Sequence, residues 1–171
     1  MANLSLPHLR ELFLHRNQIL AITGLSGCPR IKRLWLFQNQ ITSLHGLYAV
    51  PELEELWIQA NEITRLDGLE YNVQLKRLGL AGNPIQQLGE MSKLSSSLRL
   101  LHDISFHDIH FGRCEMVDEE GYLDYLLLAL PMVSIVDGVK VKKEMIVSAE
   151  EKYYTEVSRD VQERGCSFTC S

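Results

Sequence analysis

The stretch Ile31–Glu52, IKRLWLFQNQITSLHGLYAVPE, is one complete unit of a pattern that returns every twenty-two residues along most of the chain. Within this unit, Leu34 and Leu36 are apolar, Asn39 follows, and Ile41 is the next apolar position. Matches in several successive registers at one fixed spacing indicate a repeat architecture. The other units place their asparagines at Asn17, Asn61 and Asn83.

The period and the spacing of the apolar residues are those of leucine-rich repeats. In each unit the pattern L-x-x-L-x-L predicts a short strand whose leucines point into the core. The intervening side chains point the other way, so stacked units form a parallel sheet with one exposed face. Each asparagine can bond to the backbone of a neighbouring coil, which predicts an asparagine ladder. We predict an α/β fold, a right-handed leucine-rich-repeat solenoid with a concave parallel sheet and a C-terminal helical cap.

The repeat becomes less regular in the second half of the chain. Leu75 and Leu101 begin successive units but lie twenty-six residues apart, which predicts a small insertion on the convex or loop side. Residues 120–129 are apolar at helical spacing and predict a helix before the end of the domain. The predicted divisions are a repeat domain with its cap at 1–143, a charged helix at 144–164 and a disordered tail at 165–171.

A closing motif follows the predicted helix. Leu130-Pro131, Val133, Val136-Asp137-Gly138 and Val141 follow the pattern L-P-x-L-x-x-L-D-G-x-x-V. With this motif, residues 4–143 resemble leucine-rich repeat domains of the 22-residue class. That class includes a regulatory subunit of protein phosphatase 1, a spliceosomal subunit and many ciliary and centrosomal proteins. The resemblance implies protein–protein recognition, either as a scaffold or as a regulatory subunit that docks an enzyme such as a protein phosphatase.

Composition limits the classes of function. The formal net charge of −5 argues against a nucleic-acid partner bound through phosphate neutralisation. The acid excess lies in residues 96–171, which carry eight Lys and Arg against fourteen Asp and Glu. A signal-peptide pattern, a membrane-length apolar run and a paired cysteine framework are all missing from the sequence. We therefore expect a reduced cytoplasmic protein with no membrane partner; the nucleus stays open, and the resemblance adds the cilium and the centrosome.

The outward side chains of the strands form the predicted concave face, and Phe13, Trp35 and Trp57 occupy its centre in the first three strands. Because neighbouring strands lie about 4.8 Å apart, we expect these rings to form a ladder. Contiguous exposed aromatic residues are typical of a binding surface. The alternative is that the rings only pack on one another and on the stems of Arg33 or Arg77. The predicted partner-binding residues are Phe13, Arg33, Trp35, Phe37, Glu55, Trp57, Gln59, Arg77, Asp103 and His107.

Beyond Trp57, the same face is built from the small residues Gly79, Ala81 and Gly82. They predict a hollow beside the Trp57 ring, and we expect a side chain of the partner to insert there.

A row of charges with alternating sign crosses the predicted concave face. This row either recognises charges on a partner or forms cross-strand ion pairs, which contribute little at an exposed surface. Ion pairing is the simpler interpretation. The row consists of Glu11, Arg33, Glu55, Arg77 and Asp103.

The sequence contains one candidate for a metal site and no recognisable catalytic motif. Asp103 and His107 are expected on one face of the fifth strand, and a histidine with a carboxylate can hold zinc. No cysteine stands at a suitable spacing, so we predict a polar surface without a metal. The chain has no glycine-rich phosphate loop and no nucleophile elbow, which predicts a protein without enzymatic activity or cofactors.

The beginning of the chain predicts an open edge. Residues 1–8 resemble the tail of an earlier unit, and no polar capping helix precedes the first strand. A solenoid needs a cap over the apolar edge of its first coil. We expect either a fragment of a longer array or self-association through this N-terminal edge.

Overall fold

The concave sheet begins with five parallel strands of three residues each. The structure of the protein is a computed structural model that describes residues 5–165, and side-chain surroundings through residue 159. Each strand pairs in register with the next, as the repeat predicts. The strands are β1 (Glu11–Phe13), β2 (Arg33–Trp35), β3 (Glu55–Trp57), β4 (Arg77–Gly79) and β5 (Asp103–Ser105).

The asparagine ladder is confirmed for Asn39, Asn61 and Asn83, whereas Asn17 donates only within its own coil among the described residues. The side-chain oxygen of Asn39 accepts the backbone N–H of Ile19 in the previous coil at 3.0 Å, and its amide donates to the Leu14 carbonyl at 3.0 Å. Asn61 and Asn83 repeat this arrangement one and two coils further on. Because each asparagine satisfies backbone groups of two coils, the ladder fixes the stacking of the repeats.

The predicted insertion lies on the return side, between β4 and β5. Glu90 occupies the position that carries a glycine in the preceding units, and it is only 8% exposed. Its carboxylate accepts the Leu66 backbone N–H at 2.8 Å and pairs with Lys93 at 2.7 Å, so its charge is compensated. The helical turns of the return side are His45–Ala49, Leu88–Met91 and α1 (Ser92–Ser95).

The C-terminal cap extends the sheet and covers its last coil. β8 pairs parallel with β5, which gives a seven-stranded sheet in the order β1-β2-β3-β4-β5-β8-β9, while β6 and β7 form a separate antiparallel ribbon. Among residues 5–165, no helix is both long and apolar enough to span a membrane. The remaining elements are β6 (His107–Asp108), β7 (Gly112–Arg113), the turn Glu115–Asp118, α2 (Tyr122–Ala129), β8 (Ile135–Val136), β9 (Val139–Lys140) and α3 (Lys143–Gly165).

Asp137 of the closing motif holds the cap to the last coil. Its carboxylate accepts the backbone N–H groups of Phe106 at 2.7 Å and His107 at 2.9 Å. The hydroxyl of Tyr122 in α2 donates to the second carboxylate oxygen at 2.8 Å. Burial and this neighbouring carboxylate raise the pKa of Tyr122, so its hydroxyl stays a proton donor.

The hydrophobic core runs continuously from the return side of the first coil, at Ile22, Leu25 and Cys28, into the cap. Leu34 and Leu36 of the second coil are fully buried, whereas their counterparts Leu12 and Leu14 in the first coil are half-buried. The first coil is therefore covered less completely than the others by the described residues. Of the tail predicted to be disordered at 165–171, Gly165 ends α3 and residues 166–171 lie outside the described part. The division into three segments stays a prediction.

Candidate protein-binding surface on the concave face

The centre of the concave face carries an exposed aromatic stack. Register places Phe13 beside Trp35, and the two ring centroids lie 4.1 Å apart with an interplanar angle of 11°. Phe13 is 57% exposed although it is a large apolar side chain. Trp35 and Trp57 are half-buried, and neither indole N–H has a hydrogen-bond acceptor among the described residues. The two tryptophans therefore offer apolar area together with unused hydrogen-bond donors.

Trp57 does not continue the stack, so the predicted ladder of three rings is wrong in its last member. No ring contact joins Trp57 to another aromatic residue of the described chain. Its ring leans toward β4 instead, because Gly79 has no side chain: a Cβ built on Gly79 would lie 2.8 Å from the Trp57 ring. The missing side chain at this position lets the indole tilt over the next strand.

The hollow predicted beside Trp57 is also absent, because the chain fills it. A Cβ on Gly79 would lie 2.3 Å from the Gln59 amide nitrogen, so Gln59 and Trp57 together cover this glycine. A Cβ on Gly82 would lie 2.1 Å from the backbone carbonyl oxygen of Phe111. The small residues accommodate the protein's own side chains and ribbon, and the predicted insertion of a partner side chain there is wrong.

A second aromatic row runs beside the first. His15 and Phe37 stack at 4.5 Å, and Phe111 approaches Phe37 at 5.3 Å with tilted rings. Phe111 comes from the turn of the β6–β7 ribbon, which folds back over the sheet. Phe111 was not among the residues predicted from the sequence to lie at the concave face. The combination of an aromatic residue at position 111 with the small residues Ala81 and Gly82 on the sheet could have indicated that Phe111 lies against this face.

Gln59 is not available as a contact residue, contrary to its predicted outward position. It is 5% exposed, and its side-chain oxygen has no hydrogen-bond donor in the described part of the chain. An unsatisfied buried amide costs free energy. His107 also departs from the expected face, because it belongs to the β6–β7 ribbon and pairs with Arg113 rather than extending β5 beside Asp103.

The alternating charges form cross-strand ion pairs, which is the simpler of the two interpretations of the sequence. Arg33 pairs with Glu11, while Arg77 lies 3.8 Å from Glu55 and 4.0 Å from Asp103. Burial raises the pKa of Asp103 above its usual range, against the opposing effect of the Arg77 charge. The row is therefore largely neutralised within the molecule.

A second charged row precedes it on each strand. Glu54 lies between Lys32 at 2.5 Å and Lys76 at 2.6 Å, which joins coils two, three and four. Hydrogen bonds from these two ammonium groups lower the pKa of Glu54 to about 2. Within residues 5–165, no group of three or more His, Cys, Asp and Glu is placed to hold a metal ion.

Comparisons with known proteins agree with the architecture. Residues 7–49 and 29–71 match the family model of leucine-rich repeats in two copies. A chain in the crystal structure of the Drosophila melanogaster SNF/U2A' complex is 23% identical, with a TM-score of 0.70 over 90% of this chain and 86% of that one. An internalin C2 from Listeria monocytogenes is 18% identical, with a TM-score of 0.53 over 74% of this chain and 50% of that one. No curated protein sequence matches the chain. The chain therefore has the leucine-rich-repeat fold of these solved structures, and residues 7–71 match the repeat family.

Proposed function

We propose that the protein is a non-catalytic scaffold that binds a partner protein on the open aromatic patch, which consists of Phe13, Trp35, Phe37 and Trp57. The stack of Phe13 on Trp35 carries this proposal, because an exposed large apolar side chain at the centre of a concave sheet has no use in the fold. Buried tryptophans dominate many protein interfaces, where their rings fill pockets and their N–H groups find acceptors.

The charged row beside the patch contributes to specificity in this proposal. Arg77 lies 3.8 Å from Glu55 and 4.0 Å from Asp103, so a partner can exchange these loose pairs for its own charges, whereas Arg33 is paired with Glu11. Such rim charges affect association rate and specificity more than affinity. Gln59 and His107 are left out of the proposed contact surface because of their positions in the structure.

Affinity capture with the double variant Trp35→Ala/Trp57→Ala tests the proposal. Loss of two central tryptophans is expected to weaken partner binding by about thirtyfold or more. The matched control is Tyr48→Ala/Tyr71→Ala, which removes two aromatic side chains that are 66% and 67% exposed on the return segments. Proteins retained by the wild type and the control but lost by the tryptophan variant support the proposal. Equal capture by all three proteins would contradict it.

The alternative function is a regulatory subunit that docks and controls an enzyme such as a protein phosphatase. Its support is the resemblance of the closing motif at residues 130–141 to the phosphatase regulatory class. The last unit is also similar to that of leucine-rich repeat-containing protein 9, and a location at a cilium or centrosome is the matching proposal. The capture experiment separates the two functions, because a phosphatase catalytic subunit among the lost proteins would select the alternative.

Self-association through the N-terminal edge is a further proposal. Leu6 and Leu20 of the first coil are 48% and 65% exposed, which supports an apolar contact there. If light scattering gives the mass of a monomer at every concentration, self-association through this edge is excluded.

A further inference from the structure

A groove whose lining includes no residue of the concave strands lies between α2 and α3. It has a volume of about 360 Å³. α2 contributes Asp124, Tyr125 and Leu128, and α3 contributes Ala149, Lys152, Tyr153 and Glu156. In both sets one adjacent pair lies three or four positions from the other residues, so each helix presents one face to the groove.

The walls of the groove are apolar and aromatic. Tyr125 and Leu128 are 37% and 38% exposed on α2, and Tyr153 is 51% exposed on α3. Leu88 from the insertion is half-buried beside them. Tyr125 and Tyr153 line the same groove from opposite helices, so both rings are available to a side chain that enters it.

The rim of the groove is acidic. Asp124 pairs with Lys152 at 2.7 Å, so these two charges compensate each other. Glu120 and Glu156 are exposed and have no ion-pair partner within the described residues. The groove therefore carries two unpaired negative charges beside its aromatic walls, within the part of the chain where acidic residues are in excess.

We propose that this groove binds a basic, arginine-containing segment of a partner protein. A guanidinium group stacks on tyrosine rings through its face and donates hydrogen bonds from its edge to carboxylates, which suits walls of tyrosine and a rim of glutamate. The proposal is independent of partner binding on the open aromatic patch.

The test is a binding titration monitored by fluorescence anisotropy. The probe is a short labelled peptide that alternates arginine and leucine, and the same peptide with glutamate in place of arginine is the negative probe. The variant Glu120→Gln/Glu156→Gln is expected to bind the basic peptide roughly three- to tenfold more weakly. The matched control Glu52→Gln/Glu62→Gln removes the same charge from exposed positions on other coils and is expected to bind like the wild type.

Two further variants make the outcome decisive. Tyr125→Ala/Tyr153→Ala should weaken binding, whereas Lys152→Gln should strengthen it, because Asp124 then becomes a third available carboxylate. Trp35→Ala/Trp57→Ala should leave peptide binding unchanged, which separates this groove from the open aromatic patch. Equal weakening by both glutamate pairs would reduce the interaction to nonspecific attraction by net charge and overturn the proposal. Weaker binding by Lys152→Gln would overturn it as well.

Discussion

The two halves of the concave face are built from the same repeat, but one half is open and the other is covered by other parts of the chain. In the open half, formed by the first two coils, Phe13, Trp35 and Phe37 stand on the sheet with their rings toward solvent or toward one another. In the covered half, Trp57 and Gln59 lie on Gly79, and the Phe111 carbonyl lies on Gly82. Small residues in a concave strand therefore do not create a site by themselves. They permitted the β6–β7 ribbon to fold over the sheet, and the open aromatic patch, including the half-buried Trp57 ring at the border of the covered half, is what remains for a partner.

The largest expected effect comes from releasing the ribbon at its base. Asp137→Ala removes the acceptor of the Phe106 and His107 N–H groups and of the Tyr122 hydroxyl. Leaving these donors without a partner is expected to lower the free energy of unfolding by about 3 kcal/mol or more. Urea denaturation measures this change. The control Asp118→Ala breaks only an exposed pair with Arg113 and should cost less than about 1 kcal/mol; similar losses for both variants would contradict the assigned role of Asp137.

A smaller effect is expected where the ribbon touches the sheet. Gly82 and Ala60 occupy equivalent positions in neighbouring coils, with φ values of 70° and 49°. Gly82→Ala adds a Cβ at 2.1 Å from the Phe111 carbonyl in a left-handed backbone, and we expect a loss of about 2 kcal/mol in unfolding free energy. The reverse change at the neighbouring coil, Ala60→Gly, should stay within about 0.5 kcal/mol. If Gly82→Ala proves neutral in thermal or urea unfolding, the ribbon does not cover this half of the sheet in solution.

The smallest effect concerns the second charged row, in which Lys32, Glu54 and Lys76 link the two halves. The pKa of Glu54 is lowered from 4.5 to about 2, so its ionised form stabilises the fold above pH 4.5, and this contribution disappears as the pH falls toward 2. The side chains of Lys32 and Lys76 are 37% and 44% exposed, so solvent screening limits the contribution of Glu54 to the unfolding free energy to about 1 kcal/mol. The difference in unfolding free energy between wild type and Glu54→Gln should therefore be present at neutral pH and shrink at about pH 2.5.

The control for this prediction is Glu62→Gln, because Glu62 is exposed and forms no ion pair with a described residue. Its difference from the wild type should not vary over the same pH range. A Glu54→Gln difference that persists unchanged in acid would mean that the two lysines do not hold the carboxylate in its charged form.

Much of the fold could be read from the repeat. The register of β1 to β5, the asparagine ladder and the insertion before β5 followed from residues that recur at a fixed spacing, whereas α2 followed from apolar residues at helical spacing. These features depend on contacts between one coil and the next, and such contacts are encoded wherever Leu34, Asn39 and their equivalents recur. The stack of Phe13 on Trp35 belongs to the same class, because strand register alone brings the two rings together.

The sequence by itself thus determined the solenoid, its stacking and the aromatic character of the open half. Only the tertiary structure decided that Phe111 reaches Phe37, that Gln59 is buried and that Trp57 tilts over Gly79. These contacts occur once, between segments related by no period, so no recurring pattern records them. Their geometry depends on how a ribbon returns across a packed surface, where the absence of one Cβ determines which group occupies the space.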